Sequence, residues 1–175
     1  MNCQMTKLNN LTELAKSVYL LALCDLVVDK LFDSEGYEIA IEALGKCEEW
    51  VQTKNVEADQ LYFYLENIDE NDIMSYMQME REENKEAAWI CVANTLAYIV
   101  RTAYDYEEAV YMPETIECVD DKSIESFLMN FYKVSFDENV SDKLLDYLVD
   151  NYSLENNGEQ LDVLKIKQLV KECRL

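Results

Sequence analysis

Apolar positions recur at helical spacing along the chain. Leu11, Leu14, Val18, Leu21 and Cys24 predict a first helix that ends near Phe32. Its second half, VYLLALCDLVV, is apolar nearly all round, as a central helix would be. Tyr37, Ala40, Ile41, Leu44, Cys47 and Val51 form an i, i+3, i+4 stripe on a second helix, with Ser34 placed to cap it. Gly45 inside that helix costs about 1 kcal/mol against Ala and reads as a point of close helix approach. Leu61, Tyr64, Leu65 and Ile68 share the core face of a third helix, and Ile73, Tyr76 and Met77 that of a short fourth. NIDEND between them is a loop, or a cap leading into the fourth helix.

A long helix is expected from Glu83 to about Tyr111, ended by Pro113. Trp89, Val92, Ala93, Leu96, Val100 and Ala103 make its main stripe, while Ile90 and Ala97 make it apolar on a second side. It should stand in the middle. Asp120 or Asp121 caps the next helix, with Ile124, Phe127, Leu128 and Phe131 inward. Ser141 caps another, with Leu144, Leu145, Leu148 and Tyr152 inward. After Gly158 a last helix turns Val163, Ile166, Val170 and Cys173 inward and lines its outer face with Lys167, Lys171 and Arg174. No Gly/Ser-rich linker divides the chain, and three Gly and one Pro are too few for a turn-rich β fold. The expectation is an all-α, single compact bundle of seven or eight helices over residues 1–175.

Charge changes the picture. Fifteen basic residues face 36 acidic ones, for a net charge of −21. Such a chain is repelled by nucleic acid and by anionic membranes and attracts a basic partner. The acid is concentrated. Residues 57–86 hold ten acids against Arg81 and Lys85, and residues 105–125 hold eight against Lys122. Both stretches also carry rings: Tyr62, Phe63, Tyr64 and Tyr76 in one, Tyr104, Tyr106 and Tyr111 in the other. Tyr62 and Phe63 fall off the core stripe, beside Glu66, Asp69, Glu70 and Asp72. Arg101 can pair with Asp105 one turn on, leaving Tyr104, Glu107 and Glu108 less compensated. A single Tyr is more often core than contact. An acidic surface studded with rings, taken whole, is what binds: acid steers a basic partner in and aromatic anchors slow its release.

Chemistry is mostly excluded. There is no His, which removes Ser–His and Cys–His nucleophiles, His-bearing metal motifs and the usual neutral-pH acid–base group. No GxGxxG or GxxxxGK[ST] occurs. The calcium-loop pattern fails at Gly36 and at Gly158, because Leu31 and Leu164 fall on ligand positions. We therefore expect no enzyme, no cofactor and no metal. The six Cys form no CxxC pair, and Cys24, Cys47, Cys91 and Cys173 sit among apolar residues at helical spacing. MNCQMTKLNNLTEL lacks the basic-then-apolar order of a secretory signal, so free thiols in a reducing cytoplasm are expected. The apolar run VYLLALC is too short to span a membrane.

The order GYEIAIEALGKCEEW, DQLYFYLEN with DENDI, WICVANTLAYI followed by AY, then YMPE resembles the immunity-protein family numbered six of bacterial polymorphic toxin systems. The resemblance covers roughly Leu14 to Tyr132, and the tail from Lys133 is expected to vary. It implies a cytoplasmic all-α protein, made beside a toxin, that binds the toxin domain and spares the producing cell or its siblings under contact-dependent growth inhibition. It brings no catalytic residues and leaves the toxin's chemistry open. Charge narrows that chemistry: a toxin cleaving nucleic acid has a positive cleft that carboxylates can fill, so a basic nuclease is the expected partner, RNase ahead of DNase. The expected contact residues are Tyr62, Phe63, Glu66, Asp69, Glu70, Asp72, Tyr104, Glu107 and Glu108. Two other readings predict different things. A nucleic-acid mimic against a DNA-binding or restriction protein would expose acid at regular spacing with few aromatic anchors, and a helical adaptor would have no toxin beside it.

Overall fold

Every regular element among the described residues is helical. The computed structural model describes residues 2–135, 138–154 and 161–172. In order these form α1 (Asn2–Leu8), α2 (Glu13–Cys24), a 3₁₀ turn (Val28–Leu31), α3 (Tyr37–Thr53), α4 (Ala58–Leu65), α5 (Ile73–Met79), α6 (Glu83–Tyr106), α7 (Glu114–Glu117), α8 (Asp121–Val134), α9 (Glu138–Tyr152) and α10 (Val163–Glu172). The expected helices are all present. α1 and α7 add to them, at seven and four residues too short to show a period.

α6 is the axis, as its double apolar face predicts. It packs on α2, α3, α4, α5, α7, α8 and the 3₁₀ turn. α2 is buried at every position from Ala15 to Cys24. Its polar members are satisfied: Lys16 pairs with Glu13 and Asp121 at 3.0 and 3.1 Å, and Tyr19 shares a 2.6 Å hydrogen bond with Ser141. α9 and α10 pack on α2, and α1 packs on α9. The inward residues predicted for α8 and α9 are all buried, as are Val163, Ile166 and Val170 of α10. Cys173, Arg174 and Gly158 lie outside the described residues. Cys24, Cys47 and Cys91 are buried free thiols, and burial pushes each thiol up, away from reactivity.

Helix ends correct several expectations. Helix α2 stops at Cys24, and Thr12 starts it by accepting from the Ala15 amide at 3.1 Å. α3 is capped by Gly36, not Ser34. Gly36 has φ +86°, and a Cβ there would stand 2.4 Å from the Tyr76 ring, so conformation and packing both demand glycine. That ring also stacks on Trp89, with centroids 5.9 Å apart, and so docks α5 onto the bundle. A Cβ added at Gly45 would meet no neighbouring element within 4 Å, so no helix approaches there. Ile41 of the α3 stripe is exposed, and Trp50 is buried in its stead. Ser141 lies inside α9 and serves Tyr19 rather than capping. Asp120 does cap α8, accepting from the Lys122 amide at 2.8 Å.

α6 ends at Tyr106, well before Pro113. Glu108 adopts φ +53°, and the Ala109 and Glu108 amides reach back to the Tyr104 and Asp105 carbonyls at 3.1 and 3.2 Å. This is the Schellman closure, with Glu where glycine would be cheapest. Lys167 is the last correction. It does not line an outer face: its ammonium lies 2.8 Å from Asp25 Oδ2 and also pairs with Glu48, joining α10 to the end of α2 and to α3.

Candidate functional site

The two acidic stretches, separate in sequence, meet along α4. The Ala58 amide donates to Glu107 Oε1 at 2.7 Å, adding a carboxylate from the end of α6 to the start of α4. Glu57 and Gln60 close a capping box at the same end. At the next residue of α4, Asp59 accepts from the hydroxyl of Tyr104, one turn before Glu107 on α6. Tyr62 donates to Glu66 at 2.7 Å, and its hydroxyl lies 3.4 Å from Thr115 Oγ1 on α7. Tyr64 donates to Glu42 of α3 at 2.7 Å. These hydroxyls hold carboxylates in place without cancelling their charge. Burial first, then the adjacent carboxylate, pushes Tyr64 up to about 12 and Tyr104 higher still, so both remain neutral donors at neutral pH.

After Leu65 the chain leaves the helix at Glu66, which is extended. Asn67 then organises the loop. Its amide nitrogen donates to the Phe63 and Asn71 carbonyls at 3.1 and 3.0 Å, and its oxygen accepts from the Asp69 amide at 3.0 Å. Glu70 sits at φ +55°, a left-handed position that costs a non-glycine residue about 1 kcal/mol or more. The loop thus holds Asp69 and Glu70 outward by side-chain hydrogen bonds rather than by burial.

The expected contact residues divide. Phe63, Glu66, Asp69, Glu70 and Glu108 are exposed, and Tyr62 is half-buried beside them. Asp72 is not on the surface. It is 1% exposed and caps α5, accepting from the Ser75 and Asn67 amides at 2.8 and 3.0 Å. Tyr104 is likewise core, at 4% exposure, because α4 lies across it. Glu107 is exposed but committed to the α4 cap. The structure also adds residues. Ile68, expected on a core face, is 100% exposed because the helix that would have turned it inward ends at Leu65. Tyr106, Val110 and Tyr111 are exposed around the end of α6. NIDEND is the loop that its turn formers predict, and because the chain leaves the helix at Glu66, Ile68 goes with that loop rather than with the α4 core face.

Nearby cations are used elsewhere. Arg101 pairs with Asp105 at 2.9 Å, as its spacing predicts, and donates to the Glu117 carbonyl. Lys54 stands 4.1 Å over the Trp50 ring, donates to the Val51 carbonyl at 2.8 Å, and has Tyr106 packed edge-on against the same Trp50. Among the described residues none of Asp59, Glu66, Asp69 or Glu70 is ion-paired. Among the same residues no group of three or more Cys, Asp or Glu is arranged to hold a metal, and no helix is long and apolar enough to cross a membrane.

A family model described as Immunity protein Imm6 matches residues 15–134, which takes in most of α2, all of α3 through α8 and the whole of this surface. No curated protein and no solved structure matches the chain.

Proposed function

Because the chain belongs to the Imm6 family of immunity proteins, whose partner is a toxin, we propose that it neutralises a basic nuclease toxin by setting the acidic surface around α4 into the toxin's positive cleft. The convergence of the two acidic stretches on α4 carries this reading. Phosphate-binding clefts are lined with Lys and Arg, and carboxylates held without counter-charge can stand where phosphates would. Pore-forming or wall-cleaving toxins give no comparable reason for such a surface. RNase is placed ahead of DNase because RNA is the substrate an imported domain meets first in the cytoplasm, where this protein would act.

Glu66, Asp69, Glu70 and Glu108 supply the charge, and Phe63, Ile68, Tyr106 and Tyr111 supply exposed apolar and aromatic area. Inhibition of this kind is occlusion and needs no catalytic group, in keeping with a chain that has no His. With steering charge and aromatic anchors over an interface of about 800 Å² per partner, we expect a Kd at or below ~10⁻⁸ M. Stopped-flow association with the cognate toxin domain tests it. The on-rate should fall steeply as salt rises while the off-rate changes less. An on-rate indifferent to salt would remove the electrostatic reading and leave the family's toxin partner unexplained by charge.

A further inference from the structure

The second apolar side of α6 is open. Ile90, Ala93, Asn94 and Ala97, spaced i, i+3, i+4, i+7, form the floor of a groove of about 340 Å³. Met74 and Met77 of α5 make one wall and Val119 and Ser123 the other, and none of the lining residues is basic. Ala93 and Ala97 keep the floor low, so another backbone can come close, and the methionines can re-pack around what enters. Arg101, next on the same stripe, is tied to Asp105 and to the Glu117 carbonyl, so its charge is already used.

One end of the groove is closed by Glu66 and Thr115, the two groups that Tyr62 touches. A neighbouring depression of about 500 Å³, lined by Ile68, Glu70 and Met79 among others, shares Glu66, Met74 and Gln78 with it. The apolar floor therefore runs directly into the acidic rim. A groove with helical spacing on its floor fits an amphipathic helix laid along it. The rim requires that helix to be basic at one edge, and a net charge of −21 turns a second copy of this chain away.

We infer that this groove seats an amphipathic helix of the toxin, its apolar side against Ile90, Ala93 and Ala97 and its basic edge on Glu66 and Glu70. The inference rests on the toxin-binding reading above and gives it a second, apolar contact beside the charged one.

The experiment measures binding kinetics of the cognate toxin domain against two variants. Ala97→Trp fills the floor at a half-exposed position. It should raise the off-rate at least about tenfold and leave the salt dependence of the on-rate unchanged, as loss of an apolar hot spot does. Glu66→Lys with Glu70→Lys should lower the on-rate and its salt dependence. If the charge variant loses binding and Ala97→Trp binds normally, the groove inference fails while the nuclease-cleft reading stands. If neither variant matters, both fail. If Ala97→Trp breaks a self-associated form in sedimentation without toxin, the occupant is a second copy and the inference is overturned. Should Ala97→Trp not fold, a photo-crosslinking residue at exposed Gln78, on the shared rim, must capture the toxin domain while one at exposed Leu164 on α10 must not. Absence of the Gln78 crosslink overturns the inference.

Discussion

The α10 end and the α4 end of the molecule both crowd carboxylates together, and they settle the crowding with different chemistry. At α10, Lys167 is drawn between Asp25 and Glu48. Burial alone would lower its pKa, yet the two carboxylates hold it above the ordinary lysine value. The charges there are spent on joining three helices. At α4, tyrosine hydroxyls take the place of the ammonium: Tyr62 holds Glu66, Tyr64 holds Glu42 and Tyr104 holds Asp59. A hydroxyl fixes a carboxylate's position but leaves its charge outstanding. The first device produces stability and the second produces a field. In the proposed complex, the basic toxin would meet the second.

Charge reversal should break this comparison most visibly. Glu66→Lys, Asp69→Lys and Glu70→Lys together should abolish protection against the toxin, each costing about 1–3 kcal/mol in binding where it meets a basic group. The melting temperature should barely move, since exposed substitutions usually shift stability by about 0.5 kcal/mol or less. Lys165→Glu with Lys171→Glu, both exposed on α10, is the control and should protect fully. Protection retained by the first variant and lost by the second in a growth assay would place the toxin on the other side of the molecule.

The next effect is on folding. Lys167→Met leaves Asp25 and Glu48 facing each other without their cation, and should remove about 1–2 kcal/mol of unfolding free energy in urea titration, less than breaking a fully buried pair because all three side chains are half-buried. Toxin binding by the folded fraction should be unchanged. A loss of binding at unchanged stability would mean that the α10 end is also an interface.

A smaller effect separates hydroxyl from ammonium by pH. Tyr64 is raised above its unfolded value, so its bond to Glu42 favours folding fully below about pH 10, and the benefit is lost as pH rises through about 12. Tyr64→Phe should cost about 0.5–1 kcal/mol at pH 8, the ordinary net worth of a hydrogen bond. Wild type and variant should converge in melts above pH 10. A gap that stays constant to pH 12 would show that Tyr64 contributes packing alone.

The smallest effect concerns backbone strain. Glu70→Gly relieves the left-handed φ of +55° and should stabilise by about 0.5 kcal/mol in thermal unfolding. Toxin binding should nevertheless weaken, because an acid is removed from the rim. Equal or tighter binding would take Glu70 out of the contact surface.

How much of this could be read from the chain follows from the range of each interaction. The inward faces of α8, α9 and α10 and the central place of α6 are written in a period of 3.6 residues, which any stretch of sequence displays by itself. The Asp120 cap and the Arg101–Asp105 pair are equally local, spanning two and four residues. The family resemblance rests on the same stretch that the family model matches. What the chain did not display is the fate of its polar residues. Asp69 and Asp72 look alike in NIDEND, but only Asp72 is buried, because the start of α5 and the Asn67 amide enclose it. Tyr104 and Tyr106 also look alike, but α4 lies across one and leaves the other open. Glu107 reaches a helix 49 residues away, and Lys167 reaches a carboxylate 119 residues away. An apolar residue needs only the core side of its own helix, whereas a charged one needs a particular partner. That partner is brought up by the packing of helices distant in sequence, so only the tertiary structure decides which carboxylates are spent and which remain unpaired at the surface.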